Sequence, residues 1–495
     1  MPSLSPQGKQ RWVIMSITKS EEWDLVVVGH GIAGLSAAVS AAEASGKVIV
    51  VERAPFGDHG GNTRWTDALM RLKSEEAVAD DFEDHFARNA GHHLDPLVTA
   101  DLARDFEDQP RILRTLGITD PEVISEFADA VPSTIAWLKG HGVVFDFQPT
   151  YFITTCTPRM GPTGGGLALV EALTAAAVNL GIEIRYETAA HRIVDDGVEV
   201  VGPRSQTEVI HGRSVMLACG GFEGNPAMLA QYLGPTAKYV RPVARGGYYN
   251  KGEGIQMGLE QGAATAGDFS AIHAEPLDPR SGREEPIVLV FNYGVLVNKD
   301  GMRFVDEAPA TVDATYEAIT RVIQTQPGGI AWAVFDSRIE DVPNWRVSVR
   351  SDQPPIEAPT LEALAAACGL DGEGLILEIE AFNASCPDAS GFKPLELDGL
   401  RASPANQPRK SNWSRSIGAP PYFAFPIITG NCFTFGGLRC DAKARVINIQ
   451  GDPIPGLYAA GETMGLYHGT YTGATSVLRG AVFGRIGGRH AVGAN

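Results

Sequence analysis

The sequence predicts an α/β protein: a layer of parallel strands and helices that binds a dinucleotide, interrupted by an inserted α+β domain. Three observations predict it. Residues 25–28 form an apolar run that ends in Gly29-His30-Gly31-Ile32-Ala33-Gly34. An Ala-rich helical pattern over 35–44 and a second apolar run at 48–51, closed by Glu52, follow directly. The end of the chain returns to this texture: 453–462 reads as a strand ending in Gly461-Glu462, and Thr472-Gly473-Ala474-Thr475-Ser476 opens a helix over 477–488.

Strand, GxGxxG, helix, strand and acid together make the Rossmann-like βαβ fingerprint. Gly29 permits the tight turn, Gly31 lets the backbone approach a pyrophosphate, and Gly34 lets the helix pack against the strand. Ala33 lies in the same loop. The helix N-terminus offers free N–H groups and the positive end of its dipole to phosphates. Glu52 is placed to accept from ribose hydroxyls, with Arg53 and Ala54 beside it. Gly60-Gly61-Asn62-Thr63-Arg64 is a polar turn suited to reaching along a bound cofactor, although a plain surface turn has the same composition. The motif by itself does not separate FAD from NAD.

The chain has 495 residues, 44% of them hydrophobic and 20% charged, with a formal net charge of −18. That length buries a large core and suits two domains. The charge argues against non-specific nucleic-acid binding and against anionic membrane surfaces. Six scattered cysteines (156, 219, 368, 386, 432, 440) form no CxxC, haem or zinc spacing, and read as reduced thiols of a cytoplasmic protein. No apolar run is long enough to span a membrane. Residues 1–20 lack a signal-peptide core and read as a disordered tail, with Met15 an alternative start.

Residues 65–145 read as a charged helical region broken near Gly117 and Pro121, with His92, His93 and His141 as surface or capping residues and no metal site. A long Gly-rich loop at 151–166 leads into a helix at 167–179. Residues 182–187 and 188–194, with Ala190, are strand-like, and 198–211 is a polar-turned strand pair. The run 215–221 is a strand that ends at Gly220-Gly221 and brings backbone from Ala218 onward to a ligand. Residues 250–262 read as a Gly-rich turn opening a helix. From 275 onward the texture changes to strands at 287–293 and 295–298, a turn at Lys299-Asp300-Gly301, a helix to 325 and a strand at 330–335. A Pro-rich loop at 343–359, helices at 360–368 and 372–385, and a loop at 388–420 complete it. The expected domains are 21–275 and 431–495 for the dinucleotide, with 276–430 inserted as a capping domain.

Several ordered stretches resemble one family: GHGIAGLSAA (29–38), VVERAP (50–55), GGNTRW (60–65), VNKDGMRFVDE (297–307), QPGGIAWAVFD (326–336), FTFGGLRCD (433–441), IPGLYAAGE (454–462) and GAVFGR (480–485). They are similar to the fumarate reductase/succinate dehydrogenase flavoprotein superfamily, on its tricarballylate dehydrogenase-like and 3-ketosteroid Δ1-dehydrogenase-like branches. The resemblance implies FAD, a Rossmann-like FAD domain in two segments, a capping domain, and an active site between them. It implies oxidation or reduction of a CH–CH bond beside a carbonyl, with hydride passing to flavin N5. The implied cofactor contacts are Gly29, Gly31, Ala33, Gly34, Glu52, Arg53, Ala54, Gly61, Asn62, Thr63, Arg64, Ala190, Ala218, Gly220, Gly221, Gly461, Glu462, Ala474, Ser476 and Val477. With one nucleotide motif, electrons would leave to a quinone, oxygen or a carrier protein.

The chain departs from the fumarate reductases at the substrate. Thr311 stands where they carry a proton-donating Arg and where ketosteroid dehydrogenases place a Tyr base. Cys432-Phe433 replaces their His-His, and Thr470-Tyr471-Thr472 replaces a substrate Arg. Two carboxylates need fixed cationic partners, so these losses argue against a dicarboxylate reductase. Tyr467-His468-Gly469-Thr470-Tyr471-Thr472-Gly473 resembles the ketosteroid dehydrogenase stretch, which implies Tyr471 as donor to a ketone oxygen, helped by the Gly473 or Ala474 amide. Tyr316 or His468 would be the base. Phe291, Phe433, Phe435 and Tyr467 suit a cyclic ketone or oxo-acid, or are core. The expected function is FAD-dependent α,β-desaturation of a small carbonyl substrate. The alternatives are a tricarballylate-like dehydrogenase using Arg64 or Arg159, an enoate reductase, and an electron-transfer flavoprotein subunit. No histidine follows Gly60 in the turn used for covalent flavin, although His59 is near, so FAD is expected to be non-covalent.

Overall fold

A computed structural model describes residues 22–89, 95–154 and 159–493. The expected tail, the Met15 start, His92, His93 and Cys156 lie outside the described residues.

Strand β1 (Glu22–Val28), helix α1 (Ile32–Glu43) and strand β2 (Val48–Val51) form the predicted βαβ unit. Helix α2 (Gly165–Asn179), β3 (Glu183–Arg185) and β4 (Thr207–Leu217) follow. The chain then makes β5 (Ile272–Leu277), β6 (Val295–Val297), α3 (Val312–Ile323), β7 (Ile330–Asp336) and β8 (Tyr422–Thr434). It closes with β9 (Pro453–Ala459) and α4 (Ser476–Ala491).

The first sheet runs β9-β4-β1-β2-β3, with neighbouring strands parallel. β1 and β2 are apolar without alternation because both faces of a parallel sheet are covered. Its C-terminal strand ends, at Val28, Val51, Leu217 and Ala459, point one way, and the GxGxxG turn and Gly461-Glu462 gather there. α1 lies on this sheet with α4 across it. The two helices meet at backbone distance: a Cβ on Gly484 would stand 2.3 Å from Ala33 O, and one on Gly488 2.3 Å from Ala37 O. Gly34 serves the same end, since its Cβ would overlap Gly29 O at 1.9 Å.

The second sheet is centred on β8. β7 pairs with it antiparallel from Ile330↔Ile428 to Asp336↔Tyr422, and β5 from Ile272↔Thr434 to Leu277↔Ile428. Its residues alternate between two cores: Ala331, Ala333 and Phe335 join one, Trp332 and Val334 the other. The period of two along a strand accounts for this.

The structure corrects several boundaries. The expected domain limits at 276 and 430 fall inside β5 and β8, which pair with one another, so the sheet continues across both. Residues 287–293 are not a strand: Ile287 and Val288 make isolated bridges and Phe291–Tyr293 is a single 3-10 turn. A short apolar run is equally consistent with a buried irregular segment, and tertiary burial decided here. The 151–166 loop contains a strand, Arg159–Pro162, paired with Phe145–Gln148. The strand pair at 198–211 and the run from 215 share one continuous strand, β4. His141 caps the helix Pro121–Gly140.

The α1–α4 contact is directly testable. Alanine gains about 1 kcal/mol over glycine in helix propensity. At Gly484 the added methyl meets backbone that cannot retreat, and overpacking costs about 1–3 kcal/mol. Gly484→Ala is therefore expected to lower the midpoint of chemical denaturation rather than raise it.

Candidate active site

A cleft of about 1920 Å³, its open mouth included, runs from the C-terminal edge of the first sheet to the face of β5, β8 and α3. Two different walls line it.

On the first sheet's side the backbone is brought close by design of the turn. Gly29 has φ +108°, and a Cβ there would stand 2.3 Å from Ala218 O. Gly31 faces the cleft, with nothing nearer than 3.6 Å to its would-be Cβ. Ile32 N donates to Thr63 Oγ1 at 3.1 Å, which ties the Gly61-Asn62-Thr63 turn to the helix start. Glu52 is buried and accepts from His30 N (2.9 Å) and Ala54 N (2.7 Å). Farther along, Asn62 Nδ2 and Asn250 Nδ2 donate to Glu223 Oε1 at 2.6 and 2.8 Å, and Glu462 Oε1 accepts from Thr434 N at 2.6 Å. Burial pushes both the Glu223 and the Glu462 carboxyl upward, and the Glu462 charge adds to the push on Glu223. At the far end Tyr471 Oη accepts from the amides of Thr475 and Ser476, both at 2.9 Å, and donates to Ser476 Oγ at 3.0 Å. Two of the amides at the start of α4 are thus taken by a tyrosine hydroxyl.

The opposite wall carries Tyr151, Phe152, Arg159, His273, Glu275, Glu285, Asp313, Tyr316, Cys432 and Phe433. Strand register explains the heart of it. His273 and Glu275 are two apart on β5 and share a face, and His273 stands opposite Phe433 on β8. Asp313, Tyr316 and Glu317 are three and four apart on α3, so they share a helical face turned to the same place. His273 Nδ1 lies 3.3 Å from Glu317 Oε2, and its Nε2 lies 3.4 Å from Tyr316 Oη. Its ring packs 4.5 Å from that of Tyr471. Burial, then Glu275, pushes the Glu285 carboxyl well up, although Arg350 sits 3.2 Å away and also holds Asp67 at 2.6 Å. Burial drives the Cys432 thiol strongly up as well. His273, Glu275 and Cys432 each bring a polar side-chain atom within 4.8 Å of the others.

Most sequence-derived candidates line this cleft: Gly29, Gly31, Ala33, Glu52, Arg53, Ala54, Gly61, Asn62, Thr63, Ala190, Ala218, Gly220, Gly461, Glu462, Ala474, Ser476, Val477, Tyr316, Phe433 and Tyr471. Others stand elsewhere. Gly34 and Gly221 permit packing; a Cβ on Gly221 would stand 2.1 Å from Thr434 Oγ1. Arg64 lies over the Trp65 ring. Phe291 is in the core of the second sheet, and Phe435 and Tyr467 are core residues behind Phe433. Thr311 N-caps α3 outside the cleft, and His468 is buried behind the wall. The sequence reading missed His273, Glu275, Glu285 and Glu317. A signal was present for two: Ile272-His273-Ala274-Glu275 alternates polar and apolar in an otherwise buried strand.

The family description "FAD binding domain" matches residues 24–478. The chain belongs to that family. A probable fumarate reductase of Shewanella frigidimarina is 28% identical over 484 residues, covering 95% of this chain and 75% of the relative. The 4-oxocyclohexanecarboxylate 2-dehydrogenase of Sinomonas cyclohexanicum is 26% identical, covering 93% and 91%. The crystal structure of 3-ketosteroid Δ4-(5α)-dehydrogenase from Rhodococcus jostii RHA1 is similar with a TM-score of 0.64 and 25% identity, covering 97% of this chain and 99% of that one. The protein is an FAD-dependent oxidoreductase of the fumarate reductase/ketosteroid dehydrogenase group, acting on CH–CH bonds. No helix among the described residues is long and apolar enough to cross a membrane.

The flavoprotein's first wall fits FAD on its own geometry. Gly31 leaves open space where a diphosphate needs approach, Glu52 retains lone pairs for a ribose, and Asn62 Oδ1 is buried with no hydrogen-bond partner among the described residues. These residues and the α4 N-terminus would hold the cofactor. The adenosine end has its own titrating pair. His30 is fully buried with Nδ1 3.1 Å from His59 Nδ1, and burial, then His59, brings its pKa down to about 3. An unfolded histidine titrates near 6.5. Between these values the unfolded chain binds the extra proton, so the stabilisation is complete above about pH 6.5 and is lost as pH falls toward 3. His30→Gln is expected to flatten the fall in denaturation free energy between about pH 7 and pH 5, a slope of up to about 1.4 kcal/mol per pH unit from this one group.

Proposed function

We propose that this flavoprotein desaturates a small carbonyl compound, a cyclic ketone or oxo-acid, at the bond α,β to the carbonyl. The observation that carries the reading is the chemistry of the second wall. It sets the hydroxyls of Tyr316 and Tyr471 and the rings of Phe152 and Phe433 among carboxyls, with Arg159 as its arginine. A small polyanion needs paired cations, and Arg350 and Arg321, the neighbouring guanidiniums, are engaged by Asp67 and Glu285 and by Glu317. The Sinomonas 4-oxocyclohexanecarboxylate 2-dehydrogenase and the Rhodococcus 3-ketosteroid dehydrogenase support the same substrate class.

In this reading Tyr471 polarises the substrate oxygen by exchanging Ser476 Oγ for it, and Tyr316 receives the α-proton. Bound FAD supplies the hydride acceptor for the β-hydrogen. The electrons would leave the protein to a quinone, oxygen or a carrier protein. The second reading, a tricarboxylate dehydrogenase or enoate reductase, is favoured by Arg159 on the wall and by the fumarate reductase relative.

Anaerobic bleaching of the flavin band decides between them. Cyclohexanone-type ketones or oxo-acids are expected to bleach it, and Tyr471→Phe to slow that bleaching by about 10²- to 10³-fold, the usual effect of losing one oxyanion donor. Bleaching by tricarboxylates alone would sink the ketone reading. FAD is held without a covalent bond in this reading. His59, the histidine nearest the Gly60 turn, is turned onto His30 and Tyr186 at the Glu52 end. Acid precipitation is expected to leave the yellow colour in the supernatant.

A further inference from the structure

Four side chains on two elements make a continuous polar chain into the second wall. Tyr316 Oη lies 3.4 Å from His273 Nε2, and His273 Nδ1 lies 3.3 Å from Glu317 Oε2. Arg321 Nη2 donates to Glu317 Oε1, and the same guanidinium donates to Ile272 O at 2.6 Å and to Gly469 O. His273 is 5% exposed and Glu317 8%. These contacts assign the protons. A carboxylate paired with arginine accepts only, so the imidazole N–H is on Nδ1. That leaves Nε2 as an acceptor, and the Tyr316 hydroxyl as the donor to it.

We propose that Tyr316, His273 and Glu317 form a proton relay. The Tyr316 oxygen takes the substrate α-proton while the phenol's own proton passes to His273 Nε2, with Glu317 orienting the ring. The inference rests on the desaturase reading for its substrate. The step balances as follows. The α C–H bond breaks and an O–H bond forms on Tyr316; the former Tyr316 O–H bond breaks and an N–H bond forms on His273. The C–H electron pair stays on the substrate and becomes the new double bond as the β-hydrogen leaves as hydride to oxidised FAD. His273 ends as an imidazolium beside Glu317. In the reducing direction the same chain delivers a proton to the substrate.

The surroundings explain why a relay is needed. Tyr316 is half-buried among Glu275, Tyr151, Glu317 and Cys432, and desolvation first, then these neighbours, pushes its phenol well above the ordinary value. A resting phenolate is therefore disfavoured. Moving the proton to imidazole transfers the charge change to a group faced by carboxylates. From its own strand His273 sees Glu275 Oε1 at 3.7 Å, from α3 Glu317 and Tyr316, from β8 Phe433, and from the loop before α4 the Tyr471 ring. Glu317 Oε2 also accepts from Tyr471 N at 3.3 Å, so one carboxylate positions both tyrosine segments. The logic is that of a serine–histidine–aspartate set with a phenol as the terminal group.

The test uses holoenzyme labelled with ¹⁵N-histidine. The resonances lost in His273→Gln identify this ring, and they are expected to report the Nδ1–H tautomer, shifted in Glu317→Gln and retained in Tyr316→Phe. With a ketone that bleaches the wild-type flavin, His273→Gln is expected to slow bleaching about 10²- to 10⁴-fold, the range of general acid–base catalysis. It should also turn a curved proton inventory in mixed H₂O/D₂O into a linear one. An Nε2–H tautomer, or a linear inventory in the wild type, would overturn the relay. The tautomer is read without substrate, so ketones that fail to bleach the wild type count against the desaturase reading, while the tautomer still decides the relay.

Discussion

The architecture depends on backbone meeting backbone at glycine. Gly34 against Gly29, Gly29 against Ala218, and Gly484 and Gly488 against α1 each remove a side chain where two main chains must touch. The consequence is positional. α1 is locked on the first sheet with its N-terminus at the strand ends, and α4 is locked on α1 with its own N-terminus at the same edge. Two helix termini therefore face one cleft, the first suited to the diphosphate of a dinucleotide and the second to negative charge on a reduced flavin. Side chains of any size at these positions would hold the helices apart and move both termini.

The second wall has a different origin. β8 is long enough to pair with β7 over its first half and with β5 over its second, and so leaves its sheet directly into the cleft. It carries Cys432 and Phe433 to the place where β5 presents His273 and Glu275. α3 completes the wall because its polar stripe faces this pair. The cost of burying so many acids is met locally: Arg321 holds Glu317, and Arg350 bridges Asp67 and Glu285. Glu275 Oε2 and Asp313 Oδ1 have no hydrogen-bond partner among the described residues, and both side chains line the cleft.

The two walls divide the work. One is a scaffold of backbone amides, glycines and one ribose-facing acid, and it binds the cofactor. The other holds titratable groups in mutual contact, and in the proposed function it handles protons. Tyr471 joins them, since its hydroxyl caps α4 while its ring packs on His273 and Phe433.

The sequence by itself determined the first half of this molecule. Turn glycines, a terminal acid and continuous apolar strands are local requirements, and local requirements leave a local pattern; the cleft-lining residues from Gly29 to Thr63 and from Gly461 to Val477 were legible for that reason. The candidate catalytic side was legible only where a single residue type stood out, as with Tyr316 and Tyr471. Phe291, Phe435 and Tyr467 have the composition of a substrate pocket but became core, because the side of the wall on which a residue is buried is not written in the residue itself. His273 and Glu317 are separated by 44 positions and meet only through the pairing of β5 with β8 and the docking of α3 on that sheet. Such long-range register is set by which faces can be buried together, and only the tertiary structure decided it.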